Sequence, residues 1–141
     1  MKLLPYERPV DSARSDLMRR VRREGTRAEQ EVGHALREMK LRFRRNVKTL
    51  PGSPDFANQA QHWAIFVHGC FWHRHQACVR TTTPTRNREF WLEKFDANKK
   101  RDRKKARLLR GMGFSVLTIW ECQATDQATV KRRLTRLHAS R

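Results

Sequence analysis

Apolar residues recur at three- and four-residue intervals after Thr26, as expected for one face of a helix that continues to about Lys40. Glu29 follows Thr26 by three residues. This spacing is typical of a capping box, in which the two side chains satisfy the first free backbone N–H groups of a helix. The apolar positions of this predicted helix are Ala28, Val32, Ala35 and Met39.

Two shorter helices are predicted near the ends of the chain. The first covers Ser15–Arg23, and its apolar face consists of Leu17, Met18 and Val21. The second covers Thr125–His138, and its inward-facing residues are Val130, Leu134 and Leu137. Residues 1–14 are polar and irregular, which predicts a flexible N-terminal arm.

A long helix is predicted from about Arg88 to Arg110, with Asn87 as its cap and two glycines at its end, Gly111 and Gly113. Its first half carries aromatic residues. Its second half, KKRDRKKARLLR, is densely basic.

Two runs of β-forming apolar residues, Trp63–Val67 and Phe114–Trp120, predict buried strands. An arginine-rich strand is predicted over Leu41–Val47. The strand that follows the turn LPGSP, residues 50–54, is expected to be short because Ala57–His62 is polar. The element order α–β–β–α–β–α predicts an α/β fold, a small mixed sheet with helices packed on it, formed by one domain over residues 15–141.

Net charge narrows the choice of partner. The 141 residues include 32 Lys and Arg against 14 Asp and Glu, a formal net charge of +18. A surface this basic usually has a polyanionic partner, so nucleic acid is expected first and an anionic membrane surface second. The longest apolar run, Trp63–Val67, is too short to span a membrane. The N-terminal MKLLPYERPV lacks the apolar segment of a signal peptide, and a cytosolic protein is therefore predicted.

The stretch HGCFWHRHQAC, residues 68–78, contains three His and two Cys. In a cytosolic protein the three cysteines of the chain are poor candidates for disulfides. Together with one histidine they would complete the tetrahedral ligand set of a structural zinc site, and spacing alone does not choose between His73 and His75. The alternative is that the cysteines are packed thiols and the histidines are surface residues.

Asp55 lies in PGSPDF, where a carboxylate at the start of a strand can hold Mg²⁺ against a phosphate. Nucleases of the restriction-enzyme type follow such a Pro–Asp with Asp/Glu-x-Lys on the next strand, but WAIFVH contains neither an acid nor a lysine. His68 and His73 lie at the end of that strand, and a neutral imidazole is a natural proton acceptor. Taken alone, Asp55 also fits an ordinary turn carboxylate.

Five segments together resemble the very-short-patch-repair (Vsr) DNA mismatch endonucleases: LPGSPDF, IFVHGCFWH, TRNREFWLEK, NKKRDRKK and GFSVLTIWEC. The resemblance covers roughly residues 15 to 122, with the motifs in order. It implies a restriction-endonuclease-like fold with a structural zinc. It also implies Mg²⁺-dependent nicking of one strand of double-stranded DNA beside a T·G mismatch, the lesion left when 5-methylcytosine deaminates.

The resemblance also implies roles for individual residues. Asp55 would bind Mg²⁺ together with the backbone carbonyl of Val67. His73 would activate water with the support of Asp102, and His68 would contact the scissile phosphate.

Two further assignments follow from the resemblance. Glu29 matches an acidic position near the metal, a role that competes with its capping-box interpretation. The zinc ligands would be Cys70, His75, Cys78 and Cys122. Two residues separate His75 from Cys78, whereas some relatives have one residue between these ligands.

The family's aromatic wedge, which is pushed between base pairs at the mismatch, would here consist of Phe71, Trp72 and Trp91. Met18 and Val21 would insert from the minor-groove side. For the two tryptophans the alternative is ordinary core packing.

The protein is expected to be a monomer in the bacterial cytoplasm, associated with the nucleoid, with mismatch-repair proteins as candidate partners. Two rival functions are a nicking or restriction-type endonuclease without mismatch preference, and a catalytically inert zinc-stabilised DNA-binding module. The charge is high for the family, which favours nonspecific DNA binding.

Overall fold

The computed structural model describes residues 26–139, and the predicted arm 1–14 and helix Ser15–Arg23, with Met18 and Val21, lie outside them. The elements in chain order are α1 (Arg27–Glu38), β1 (Arg44–Arg45), β2 (Phe56–Asn58), β3 (Trp63–His68), α2 (Cys70–His73), α3 (Arg88–Gly111), β4 (Ser115–Trp120), α4 (Gln127–Leu134) and α5 (Arg136–Ala139). Among the described helices, none combines the length and apolar character needed to cross a membrane.

The four strands form one mixed sheet in the order β1-β2-β3-β4, which confirms the predicted α/β architecture. The pairs β1–β2 and β2–β3 are antiparallel, and β3–β4 is parallel in a register that runs from Trp63↔Ser115 to His68↔Trp120. Because parallel strands end at the same edge of a sheet, the segments that follow β3 and β4 emerge side by side. This edge carries the candidate site.

Helices cover both faces of the sheet, as expected when strands are apolar on both sides. One face packs against α1, α4 and α5 through a core that includes Val32, Leu36, Trp63, Ile65, Ile119, Val130, Leu134 and Leu137. The other face packs against the end of α3 through Leu50, Ala57, Ala64, Phe66, Leu109 and Phe114. The predicted inward-facing residues of the last helical segment are thus confirmed as core.

The prediction of a strand over Leu41–Val47 was wrong in length, since only Arg44–Arg45 is a strand. Lys40 and Asn46 have φ angles of 58° and 48°, in the left-handed region, and so interrupt the extended backbone on both sides. The short strand predicted after the LPGSP turn is confirmed as the three residues of β2.

The predicted start of α3 at Arg88 is confirmed, but its cap and the extent of the last helix differ from the predictions. Asn87 precedes α3, but its side chain makes no capping hydrogen bond and its φ is 56°. The helix predicted over Thr125–His138 is divided at Thr135, whose hydroxyl donates to the Arg132 carbonyl, and α4 begins after Asp126, which accepts from the Ala128 N–H. Local side-chain-to-backbone bonds of this kind compete with helix continuation.

Replacing Leu36 by Ala is expected to lower the free energy of unfolding by about 2–5 kcal/mol, because this side chain is 0% exposed and its loss leaves a cavity in the core. The matched control is Leu108→Ala on α3, where the side chain is 47% exposed and a change within about 0.5 kcal/mol is expected. Urea denaturation of both variants measures the difference. Equal destabilisation would contradict the assigned core.

Candidate active site and metal centre

The loop that follows β3 separates two neighbouring histidines. α2 begins after Gly69 and ends at His73, and the next residue, Arg74, has a φ of 57° that reverses the chain direction. The reversal brings the N–H of His75 to the Cys70 carbonyl at 3.0 Å. His73 and His75 therefore face different surroundings although a single residue separates them.

Four side chains that follow the two strands form a metal-binding cluster. Their donor atoms lie within 4.8 Å of one another, and the set is Cys70, His75, Cys78 and Cys122. The Nδ1 atom of His75 lies 3.4 Å from Cys122 Sγ and 3.7 Å from Cys70 Sγ. In a tetrahedral zinc site, metal–ligand distances of about 2.3 and 2.0 Å place sulfur and nitrogen about 3.5 Å apart, so the residues fit this ion.

The surroundings of the thiols shift their acidity in opposite directions. Burial raises the pKa of the Cys70 thiol to about 12, whereas a backbone hydrogen bond at Arg80 lowers the pKa of Cys78. A bound divalent cation would deprotonate both thiols. The ring of His75 stacks on Trp120 with centroids 4.4 Å apart, which fixes the plane of the histidine.

A second cluster contains the histidine that the first leaves out. His73 Nδ1 lies 2.6 Å from Asp102 Oδ2 on α3, and its ring stacks on His68 with centroids 3.9 Å apart and planes 8° apart. If Nδ1 carries the proton and donates it to the carboxylate, Nε2 is left as an acceptor. This is the geometry of an oriented general base.

Two pKa shifts follow from this packing. Burial lowers the pKa of His68 to about 3, and the neighbouring His73 adds to the effect, so His68 is neutral at physiological pH. Burial alone would raise the pKa of Asp102, but the hydrogen bond from His73 and the nearby histidine charges bring it below its ordinary value. Asp102 is thus an anion that lies against the ring of His73.

Asp55 and Glu29 form a pair of neighbouring acids at the start of β2. Asp55 Oδ2 accepts from the Val67 N–H at 2.7 Å. Burial, with a smaller contribution from the charge of Glu29, raises the pKa of Asp55 to about 7. In a strand the N–H and C=O of one residue point the same way, so the Val67 carbonyl faces this side as well. Two carboxylates and a carbonyl are the oxygen ligands that Mg²⁺ accepts.

Glu29 completes the predicted capping box and also lies beside Asp55. It is 3% exposed and completes the capping box, since its Oε2 accepts from the Thr26 N–H at 3.1 Å while the Thr26 hydroxyl accepts from the Glu29 N–H. The same carboxylate perturbs Asp55. The cap therefore fixes Glu29 next to the candidate metal ligand.

The aromatic residues of α2 pack against the first half of α3. Phe71 and Trp72 are half-buried, with centroids 5.2 Å from Phe95 and 6.0 Å from Trp91 respectively. Trp91 is 8% exposed. Trp91 packs within this aromatic cluster, which agrees with the alternative of ordinary core packing. It supports the more accessible rings of Phe71 and Trp72.

Two residues that the sequence did not single out connect these parts. Arg74 places its guanidinium 3.9 Å from the Phe95 centroid and donates to the Thr82 carbonyl at 2.7 Å. Trp120 stacks on His75 and meets His68 edge-on at 5.4 Å. The only sequence signal for either was position, since Arg74 lies between the two histidines and Trp120 ends a strand.

A basic groove of about 800 Å³ runs along the second cluster. His68, His73 and Asp102 lie in its wall, and its cationic lining consists of Arg74, Lys99, Arg103, Lys105, Arg107 and Arg110. An oriented imidazole beside a groove of this charge defines an enzyme that acts on nucleic-acid phosphates.

Comparison with known proteins agrees with this class. The family model described as DNA mismatch endonuclease Vsr matches residues 9–80. DNA mismatch endonuclease Vsr of Escherichia coli is 38% identical over 127 residues, which cover 86% of this chain and 81% of that protein. Type II nicking enzyme V.XorIIP of Xanthomonas oryzae is 37% identical over 118 residues, 84% and 86% of the two chains, and V.NmeAIP of Neisseria meningitidis is 36% identical over 126 residues, 89% of each.

The chain therefore belongs to the Vsr family of DNA mismatch endonucleases. It is a strand-specific endonuclease that acts on DNA, and the restriction-endonuclease-like fold of the family agrees with its small mixed sheet. The resemblance noted from the sequence is confirmed, and the alternative of an inert DNA-binding module is set aside.

The four-residue cluster is expected to hold one metal ion per chain through His75 and not through His73. His75→Ala should lose the metal, and His73→Ala should keep it, when the purified proteins are compared by elemental mass spectrometry. Loss of metal from His73→Ala alone would mean that the wrong imidazole was assigned.

Replacing Asp55 by Asn is expected to stabilise the protein in Mg²⁺-free buffer. The pKa of Asp55 rises from the ordinary 3.8 to about 7 on folding, so the folded state binds this proton more tightly and stability is lost as pH increases through that interval. Asp55→Asn avoids the loss, which amounts to at most about 4 kcal/mol at pH 8.

Urea denaturation between pH 5 and 8 measures this effect. The stability gap between Asp55→Asn and the parent should widen with pH. Asp96→Asn is the control, because its 59% exposed side chain pairs with Lys100 and its pKa is lowered. A pH-independent gap for Asp55→Asn would contradict the buried-acid description.

Proposed function

We propose that the protein nicks one strand of DNA beside a T·G mismatch in a Mg²⁺-dependent reaction, with Zn²⁺ as a structural ion. The observation that carries the proposal is the separation of the histidines: His73 Nδ1 is held by Asp102 at 2.6 Å, outside the Cys/His cluster that contains His75. One imidazole is thus available for proton transfer while its neighbour is committed to the metal centre.

The proposed Mg²⁺ ligands are the Asp55 carboxylate and the Val67 carbonyl, with Glu29 as a nearby second acid. The raised pKa of Asp55 supports this assignment, because a cation at this point would offset the burial of the carboxylate and its repulsion by Glu29. When bound, Mg²⁺ supplies Lewis-acid stabilisation of the phosphate charge.

His73 is the proposed general base. Its Nε2 takes a proton from water as the water oxygen attacks phosphorus and the bond from phosphorus to the 3′-oxygen breaks. The leaving 3′-oxygen takes up a proton from solvent water, so the products are a 3′-hydroxyl and a 5′-phosphate. Asp102 keeps Nδ1 protonated and stabilises the imidazolium that forms. His68 is neutral, so its ring N–H can donate to an oxygen of the scissile phosphate without a competing charge.

Zn²⁺ is the proposed ion of the Cys₃His cluster because thiolate-rich tetrahedral sets select it. Cys70, His75, Cys78 and Cys122 would fill all four positions, so this ion would have no open position for substrate and would join the loop after β3 to the end of β4.

The proposed preference for a mismatch rests on the aromatic cluster beside His73, the proposed general base. Phe71 and Trp72 are half-buried on the short helix α2, which ends at His73, and Trp91 supports them from α3. Insertion of such rings between base pairs requires unstacking, which costs less at a mispair than in a regular duplex. Met18 and Val21 remain predicted partners in this insertion.

The second candidate is nicking without mismatch preference, and it is favoured by the relatives named as type II nicking enzymes. The high positive charge agrees with either function. A protein of this kind would act as a monomer on the chromosome in the bacterial cytoplasm, where mismatch-repair proteins are its candidate partners.

Single-turnover nicking of two duplexes that differ at one position, T·G against T·A, separates the two candidates. A rate at least 100-fold higher on T·G is expected, because differential unstacking of a few kcal/mol corresponds to such a factor. Equal rates on both duplexes would remove the mismatch proposal and leave the nicking enzyme.

Two variants control for a contaminating nuclease in this assay. Asp55→Ala and His73→Ala should each lower the rate by a factor of at least about 100, since each removes a group that acts on the reacting atoms. Parent-level nicking by both variants would show that the site is misassigned.

A further inference from the structure

Lys105 differs from the other cations of its segment. β3 contains no lysine that could lie beside Asp55. A fixed cation that contacts a phosphate bound near Asp55 would therefore have to come from another element. On α3 the lysines and arginines between positions 99 and 104 are exposed, whereas Lys105 is half-buried and lies in the wall of the basic groove. Its position is therefore set by contacts that its neighbours lack.

The aliphatic part of Lys105 is seated on the turn that leads to Asp55. A Cβ atom added to Gly52 would lie 2.6, 2.7 and 2.8 Å from Cδ, Cγ and Cβ of Lys105. Gly52 also has a φ of 78°, in the left-handed region that favours glycine. The absence of a side chain at Gly52 thus leaves room for the lysine stem and restricts a side chain that is normally flexible.

The ammonium group of Lys105 lies near the catalytic histidines. Its charge acts on both His68 and Asp102, the two groups that contact or flank His73. The Asp102 carboxylate is already engaged by His73, and among residues 26–139 no carboxylate lies within ion-pair distance of Lys105. The ammonium is therefore available to an anion that enters the groove.

We propose that Lys105 is a further catalytic residue, whose ammonium contacts the scissile phosphate and replaces, from a helix, the lysine that β3 does not supply. The inference rests on the proposed site around Asp55 and His73 and does not depend on mismatch preference. A cation held in place by its stem stabilises the charge that develops on the phosphate oxygens without having to reorganise. The exposed cations of the groove instead contribute mainly to DNA binding.

The test uses Lys105→Met, which keeps an unbranched side chain seated on Gly52 and removes the charge. The matched control is Lys104→Met, one residue earlier on α3, which removes the same charge from an exposed position that does not line the groove. Single-turnover nicking rates at saturating enzyme and DNA dissociation constants are measured for both variants and the parent on the T·G and T·A duplexes.

Lys105→Met is expected to nick about 100-fold more slowly than the parent, with a dissociation constant within about threefold of it. Lys104→Met should nick at the parental rate. Parental nicking by Lys105→Met, or a loss explained wholly by weaker DNA binding, would overturn the assignment of Lys105. Failure of the proposed function would give a different result. In that case the parent would show no preference for T·G, or Asp55→Ala and His73→Ala would nick at the parental rate.

Discussion

The arrangement of the site depends on a bridge between the ends of two parallel strands. Cys70 follows β3, Cys122 follows β4, and both sulfur atoms lie within 3.7 Å of the same nitrogen of His75. Cys78 belongs to the same cluster. Because Cys70 and Cys78 are thus both held there, the residues between them have little freedom of their own. That segment carries the aromatic rings and His73, so a metal ion with no chemical task of its own would set the geometry of the reaction.

The charges around this bridge show why the site costs stability. Asp55 is buried beside a second acid, and His68 is held neutral by its surroundings, as their shifted pKa values of about 7 and about 3 record. Neither the buried acid nor the neutral histidine favours folding. Each prepares a side chain for a ligand, Asp55 for a cation and His68 for a phosphate. A highly basic substrate groove adds self-repulsion that DNA would relieve. The local conflicts therefore coincide with the proposed chemistry, as is common at functional sites.

Much of this organisation could be predicted from the sequence. Apolar periodicity located α1, continuous apolar runs located β3 and β4, and the residues at its two ends located α3. The spacing of Thr26 and Glu29 identified the capping box. The choice between His73 and His75 could not be made from spacing, because it depends on the left-handed turn at Arg74. The proximity of Glu29 to Asp55 and the seating of Lys105 on Gly52 depend on how distant segments pack, for which a local pattern carries no signal.

The central claim is that one imidazole is committed to the metal while the histidine two positions earlier remains outside its coordination sphere. X-ray absorption at the edge of the bound metal counts the ligand atoms directly. The account predicts three sulfur atoms at about 2.3 Å and a single imidazole nitrogen at about 2.0 Å. A second imidazole nitrogen in that shell would mean that His73 is a ligand, and it would contradict the assignment of His73 as the base.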